Sequence, residues 1–377
     1  MKNNIWIACG GTGGHLYPGI AVAEVLISRG NQVRLIISKK PVDQSIMEEF
    51  PTIPTECIPM IGWPGWKSLK ALLFFSAYLK TRRQLSALAA QEPPTLILAM
   101  GGFTSIVPLE IGNKLQVPCI IHESNVMPGK VTRLWADRVD RILVGWRETM
   151  DFLGEKKTQH TGTPLRHGLN RIQRTEAAKR LELDPHKKTV LLMGGSQGAR
   201  SLNALMFDAL PYFAKYRDQW QFIHITGPDD LEKGRHAYSP YGFSHKVFPY
   251  LHTIQDAYSL ADLVISRAGA ASLTEIAAFG LPSVLVPFPY AADDHQTHNA
   301  RIFSDSGAAL LCHQPERTPN ARGAFATMII DLMEDAARRK DMSSKAEKLF
   351  RGRAAEAVAD VVEELHEMKT KAITVKV

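Results

Sequence analysis

Short apolar runs alternate with helix-period segments along the whole chain. "IWIAC" (5–9) leads into a pattern that predicts a helix over about 18–29, with Pro18 in its first turn and Gly30 as its stop. "QVRLIIS" (32–38) is the next predicted strand. An irregular stretch and a helix near 67–90 follow, then "TLILAM", a helix, "PCIIH", a helix and "RILVGW". The alternation predicts parallel strands with covering helices.

The pattern then restarts. "KTVLLMGGSQGARSLNAL" repeats the order strand, glycine loop, helix that opens the chain. "WQFIHITG", "KVFPYL", "DLVIS", "PSVLVPF" and "AALLC" follow as strands, most of them separated by helices. A chain of 377 residues is long for one core. We therefore expect an α/β protein of two doubly wound domains, 1–163 and 164–344, with "HTGTPLRHG" (160–168) as the hinge. "KAEKLFRGRAAEAVADVVEEL" predicts one long amphipathic helix, about 345–367, that packs back on the first domain.

Composition narrows the class only a little. With 45% hydrophobic and 22% charged residues the chain reads as globular, and its net charge of +7 suits an anionic partner without choosing one. Cys9, Cys57, Cys119 and Cys312 have no paired or metal-like spacing and read as reduced thiols. The first apolar run is too short for a signal peptide, and no run of 18 apolar residues exists to span a membrane.

Candidate chemistry gathers in a few stretches. The loops in "ACGGTGGHLYPG" (8–19) and "MGGSQGAR" (193–200) each join a strand to a helix. Such a unit offers backbone N–H groups and a positive helix end to an anion. A dinucleotide site fits poorly: counted from Gly11, Leu16 stands where the third glycine belongs, and the second strand ends "LIISKK" with no acid to hold a ribose. Two such loops better suit two phosphate-bearing ligands meeting between domains. His15 is then either a packing or capping residue or a general base beside a bound phosphate, being the side chain type that titrates near neutrality.

In "SRAGAASLTE" (266–275), Ser272 and Glu275 stand at helical spacing. Glu275 is either an exposed helix glutamate or the acceptor of two hydrogen bonds from a ribose diol. "PFPYAADDHQTHNA" (287–300) offers the amides of Gln296 and Asn299 to sugar hydroxyls, and its Asp293 and Asp294 read as helix caps rather than metal ligands. "IIHESNVMPG" (120–129) places His122, Glu123, Ser124 and Asn125 at a carboxyl strand end, where open α/β sheets bind ligands. "GWPGWKSLKALLFFSAYLKTRRQL" (62–85) combines Trp63, Trp66, Phe74, Phe75 and Tyr78 with Lys67, Lys70, Lys80, Arg82 and Arg83, and no acid falls between Glu56 and Glu92. That stretch suits either the surface of an anionic bilayer or an ordinary solvated face.

Taken in order, "GGTGGHLYPG", "MGG" at 100–102, "HESN", "GTPLR", "GGSQGAR", "SRAGAASLTEIAAFGLP" and "DDHQTHNA" resemble the MurG family over nearly the whole chain. This is a family of membrane-associated bacterial transferases that add N-acetylglucosamine to lipid I. The resemblance implies the GT-B fold, two Rossmann-like domains facing a central cleft, with no cofactor and no metal. It implies an acceptor site at Thr12, Gly13, Gly14, His15 and Asn125. It implies a UDP-N-acetylglucosamine site at Arg166, Ser196, Ala270, Ala271, Ser272, Leu273, Thr274, Glu275 and Gln296, with the backbone near Leu251 reading the uracil and Glu275 holding the ribose.

The implied partners are that nucleotide sugar, undecaprenyl-linked lipid I, an anionic membrane surface at the cytoplasmic face of the cell membrane, and other cell-wall synthesis proteins, but no nucleic acid. Three departures stand out: Ser124 where the family commonly has glutamine, Phe103 where it often has tyrosine, and "GTPLR" for "GNPVR". A different GT-B enzyme, such as a glycolipid glycosyltransferase or a UDP-sugar epimerase, and a nucleotide-binding regulator without catalysis are the alternatives.

Overall fold

A computed structural model describes residues 3–63, 65, 68, 70–195, 198–314 and 318–374, with the side chains of 319 and 370–374 excepted. Two compact units emerge, one of residues 1–167 and 351–377 and the other of residues 168–350.

The first unit holds a seven-stranded parallel sheet. Its strands are β1 (Asn4–Ala8), β2 (Gln32–Ser38), β3 (Thr55–Ile58), β4 (Leu96–Ala99), β5 (Cys119–Glu123), β6 (Arg141–Val144) and β7 (Thr158–His160), in the order β3-β2-β1-β4-β5-β6-β7. The continuous apolar runs are explained by double coverage. Ile5 and Ile7 of β1 face Leu16, Ile20, Val358 and Val362, whereas Trp6 and Ala8 face Leu85, Val107 and Trp135. Strands β3 and β7 lie at the edges, and their sequences, "TECI" and "TQH", carry too little apolar signal to be read as strands.

The second unit repeats the plan with β8 (Lys188–Met193), β9 (Trp220–Ile225), β10 (Ser244–Phe248), β11 (Leu263–Ser266), β12 (Ser283–Leu285) and β13 (Ala309–Leu311). All pairings are parallel, in the order β10-β9-β8-β11-β12-β13. Its core is one cluster, from Val190 and Leu192 through Phe213, Trp220 and Phe222 to Phe325 and Met342.

Two helix boundaries differ from the sequence expectation. The first helix spans Gly13–Ser28, five residues earlier than its apolar pattern, because extended Thr12 offers its carbonyl to the amides of His15 and Leu16 at 3.2 and 3.1 Å. Pro18 therefore sits in the second turn, where it removes the bond to the Gly14 carbonyl. The expected helix 345–367 is two helices. One, Ala336–Leu349, belongs to the second unit, and the other, Ala354–Thr374, to the first. Between them Phe350 turns extended and Arg353 adopts φ +58°. The last helix is pinned to the first by Arg29, which pairs with Asp360 at 2.8 Å and Glu363 at 2.7 Å.

Candidate functional site

In each sheet the strand order reverses once, between β1 and β4 and between β8 and β11. Ligands of open α/β sheets bind at the carboxyl ends of the strands flanking such a reversal. Both glycine loops follow a flanking strand.

In the first unit His15 occupies the first turn of the helix Gly13–Ser28. Its Nδ1 lies 3.3 Å from the Thr12 hydroxyl. Its ring fills the space above Gly101 and Gly102, which follow β4: a Cβ on Gly102 would stand 3.2 Å from His15 Cε1. Both glycines have positive φ, +87° and +73°, so the "GG" after β4 is a seat for the imidazole. Gly13 is buried, Gly14 half-buried and Thr12 exposed. As the first helical residues, Gly13 and Gly14 have no acceptor within the helix for their N–H groups.

Asn125 is oriented from below. Buried Glu123 accepts the Asn125 amide N–H and side-chain Nδ2 on one oxygen, at 3.0 and 3.1 Å, and Gly129 N and the Thr132 hydroxyl on the other, at 2.9 and 2.6 Å. Fully buried His122 donates from Nε2 to the Gly162 carbonyl at 2.9 Å, and its Nδ1 lies 3.4 Å from Ser124 Oγ. Burial holds His122 below the usual histidine range, so it stays neutral. The serine at 124 thus turns inward, toward His122.

Arg166 lies in the first unit, its guanidinium 5.1 Å from the ring centroid of Tyr17 and two residues along the helix from His15.

In the second unit the helix Ala270–Ala278 begins after β11. Leu273 and Thr274 face the core, and the Thr274 hydroxyl bonds the Ala270 carbonyl at 2.9 Å. Only their backbone is placed to meet a ligand. Ala271, Ser272 and Glu275 are half-buried. Buried Tyr258 donates to Glu275 Oε2 at 2.8 Å, a contact from a separate helix that fixes the carboxylate. Gln296 Oε1 accepts Phe288 N at 2.9 Å and Ala268 N at 3.3 Å, tying together the loops after β11 and β12. Buried Asn299 donates to the Ala268 carbonyl at 3.1 Å and is therefore a loop brace. Leu251, half-buried, follows the carboxyl end of β10, the outermost strand on one side of this sheet. Ser196 lies outside the described residues. Asp294 precedes its helix but takes the Thr297 hydroxyl at 2.7 Å in place of a backbone N–H, so the expected backbone cap is absent.

Four residues escaped the sequence reading. Asp43 and Lys40 hold Gly11, and Tyr258 holds Glu275. Arg267, 5% exposed, bonds the Val286 and Pro287 carbonyls, Ser201 Oγ and Gln314 Oε1 at 2.7–3.0 Å. Burial lowers its pKa to about 10. A cation inside "SRAGA", among small residues after a buried strand, was the available signal for that one.

The aromatic and basic stretch falls on the helix Lys70–Gln91 and the segment before it. Leu72, Leu73, Phe75 and Leu79 are exposed, with Leu72 at 75%. Trp63, Phe74 and Phe75 stack edge-to-face at 5.0–5.9 Å. Lys70, Lys80, Arg82 and Arg83 are exposed. Phe74 packs toward the core and Tyr78 donates to Glu110 at 2.8 Å, so neither belongs to the exposed face. Trp66 and Lys67 lie outside the described residues. Among the described residues no helix is long and apolar enough to cross a membrane.

Comparison with known proteins places these features in a family. Residues 5–144 match the glycosyltransferase family 28 N-terminal domain, and residues 189–365 its C-terminal domain. The UDP-N-acetylglucosamine--N-acetylmuramyl-(pentapeptide) pyrophosphoryl-undecaprenol N-acetylglucosamine transferase of Geobacter sulfurreducens is 35% identical, over 94% of this chain and 96% of that one. The crystal structure of Acinetobacter baumannii MurG superposes with a TM-score of 0.76 at 25% identity, covering 96% of this chain and 99% of that one. The calicheamicin glycosyltransferase CalG4 shares the fold alone, with a TM-score of 0.68 at 14% identity over 97% and 98% of the two chains.

Proposed function

The chain belongs to the MurG family of glycosyltransferase family 28, and from that premise we propose how its residues divide the work. It has the GT-B fold of two Rossmann-like domains. It is a UDP-N-acetylglucosamine-dependent glycosyltransferase that forms lipid II from lipid I for peptidoglycan.

The first unit, with its C-terminal helix, is the acceptor domain, and the second is the donor domain. The acceptor's pyrophosphate lies on the first glycine loop, at Thr12, Gly13 and Gly14, with Asn125 beside the acceptor sugar. The donor's diphosphate lies on the second loop, at the start of the helix Arg200–Phe213. The muramyl 4-hydroxyl attacks the anomeric carbon, the bond to UDP breaks on the opposite face, and His15 takes the hydroxyl proton. Charge growing on UDP meets the loop amides and a helix end already in place, and one such preorganised donor is worth ~3 kcal/mol. The reading rests chiefly on His15 being seated on Gly101–Gly102 at the sheet's reversal point. It is tested by transfer from radiolabelled UDP-N-acetylglucosamine to a short-chain lipid I analogue. A β-linked disaccharide is expected from the α-linked donor, and an α-linked product excludes single displacement.

Glu275 holds the ribose diol, supported by Tyr258. Glu275→Ala is expected to weaken UDP-N-acetylglucosamine binding by about 1–3 kcal/mol, the usual cost of stranding polar partners. A 2′,3′-dideoxy analogue is expected to bind both proteins nearly alike. Calorimetry showing the same loss for both nucleotides would falsify the ribose assignment.

The first unit docks on the cytoplasmic face of the membrane through Trp63, Phe75, Leu72, Leu73 and Leu79, ringed by Lys70, Lys80, Arg82 and Arg83. The acceptor's lipid chain cannot leave the bilayer cheaply, since each exposed CH₂ costs about 0.8 kcal/mol. The enzyme must come to the lipid. Each cation beside anionic lipid adds about 1 kcal/mol, less in salt. Vesicle binding is expected to rise with anionic lipid and fall with salt, and reversing Lys70, Lys80, Arg82 and Arg83 together is expected to weaken it while sparing turnover of a water-soluble acceptor. Unaltered vesicle binding by that folded variant removes the patch from the mechanism.

A further inference from the structure

The peptide group of Gly11 is gripped from both sides. Its N–H donates to Asp43 Oδ2 at 2.6 Å, and its carbonyl accepts from Lys40 Nζ at 3.0 Å. Asp43 is fully buried and also takes the Ser38 amide and hydroxyl at 3.1 and 2.5 Å. That carboxylate is thereby a fixed part of the loop's floor. Gly11 itself has φ +106°, and a Cβ there would stand 2.8 Å from Phe103 Cε1. The loop's conformation is thus set by Asp43 beneath it and by Phe103 beside it.

Lys40 differs from Asp43 in being exposed. Its ammonium lies 5.1 Å from the Phe103 ring centroid, over the residue that stands where a hydroxyl-bearing tyrosine is common in the family. The Gly11 carbonyl and the ring hold the cation at the mouth of the loop, yet an ammonium has three N–H donors and the carbonyl takes one. Gly13 and Gly14, two and three residues on, carry amides that the helix start leaves without an intrahelical acceptor. Amides and a positioned cation on one loop are what a diphosphate requires.

We propose that Lys40 binds the pyrophosphate of the lipid-linked acceptor, held at the first glycine loop by the Gly11 carbonyl and the Phe103 ring. The proposal rests on the reading of that loop as the acceptor's pyrophosphate site.

Initial rates with a short-chain lipid I analogue, at saturating donor and with inorganic pyrophosphate as inhibitor, test both. In the wild type, pyrophosphate is expected to compete with the acceptor. If it does not, the reading of the loop fails and takes the proposal with it. Where competition holds, Lys40→Met is expected to raise both the acceptor KM and the pyrophosphate inhibition constant about tenfold, the usual effect of losing a hydrogen bond to a charged group. Lys40→Arg is expected to restore most of the affinity. Lys40→Gln keeps a donor for the Gly11 carbonyl but lacks the charge, so it is expected to behave as Met does. UDP-N-acetylglucosamine binding is expected to be unchanged in all three, which also reports that they fold. Unchanged acceptor KM and inhibition in Lys40→Met overturn the proposal. Wild-type behaviour of Lys40→Gln alongside a defective Met variant overturns it too, since Lys40 would then only support the loop.

Discussion

His15→Ala is expected to lower kcat by about 10²–10⁴-fold, the range typical of a lost general base. UDP-N-acetylglucosamine affinity is expected to hold. The expectation rests on where the ring is kept. Its Nδ1 lies beside the Thr12 hydroxyl and its ring rests on Gly101 and Gly102, in the first turn of a helix whose start faces the proposed acceptor site. The proposed base atom is Nε2, with Nδ1 turned to the Thr12 oxygen. Thr12→Val is therefore expected to lower kcat less than His15→Ala does, by freeing the ring without removing it. Single-turnover measurements separate chemistry from product release. An unchanged single-turnover rate in His15→Ala would hand the base's role to another group.

The sequence carried the repeated strand–loop–helix plan, and most strands could be placed within a residue or two, because buried parallel strands are continuously apolar. It carried less where the signal is local and weak. Edge strands β3 and β7 are short and polar, so they read as irregular chain. The break at Phe350–Arg353 was marked in the sequence only by Gly352, a single glycine inside a pattern otherwise of helical period. At the candidate site the ligand-facing residues sit in recognisable motifs, but their supports come from distant chain. Asp43 reaches Gly11 from 32 residues away, and Tyr258 reaches Glu275 from 17. A dinucleotide site would place an acid at the end of β2 to hold a ribose. The one that exists, Asp43, is buried under the glycine loop instead, a placement that only the packed fold reveals.

The donor loop has its own counterpart of that support, and it makes the last expectation the sharper one. Gly198→Ala is expected to weaken UDP-N-acetylglucosamine binding by about 10²-fold or more, combining left-handed backbone strain of ~1–2 kcal/mol with a backbone collision. Gly198 has φ +74°, and a Cβ there would lie 2.1 Å from the Thr226 carbonyl oxygen. That oxygen has no room to retreat. It accepts Asn203 Nδ2 at 2.8 Å, and Asn203 is itself held by Asp230 at 2.9 Å and by His224 Nε2 at 3.0 Å. His224 is pushed down to about 3 by burial, so it stays neutral, donating to Asn203 Oδ1 and accepting from the Tyr238 hydroxyl at 2.9 Å. Relief must come from the loop, which carries the proposed diphosphate site. Gly195→Ala is the matched control. Its φ of +92° imposes the same kind of strain, but a Cβ there meets nothing within 4 Å among the described residues. It is expected to cost only about tenfold, the strain alone. Calorimetric titration with the donor ranks the two variants. Equal losses would mean that the collision is relieved elsewhere, and an unaltered dissociation constant in folded Gly198→Ala would remove this loop from the donor site.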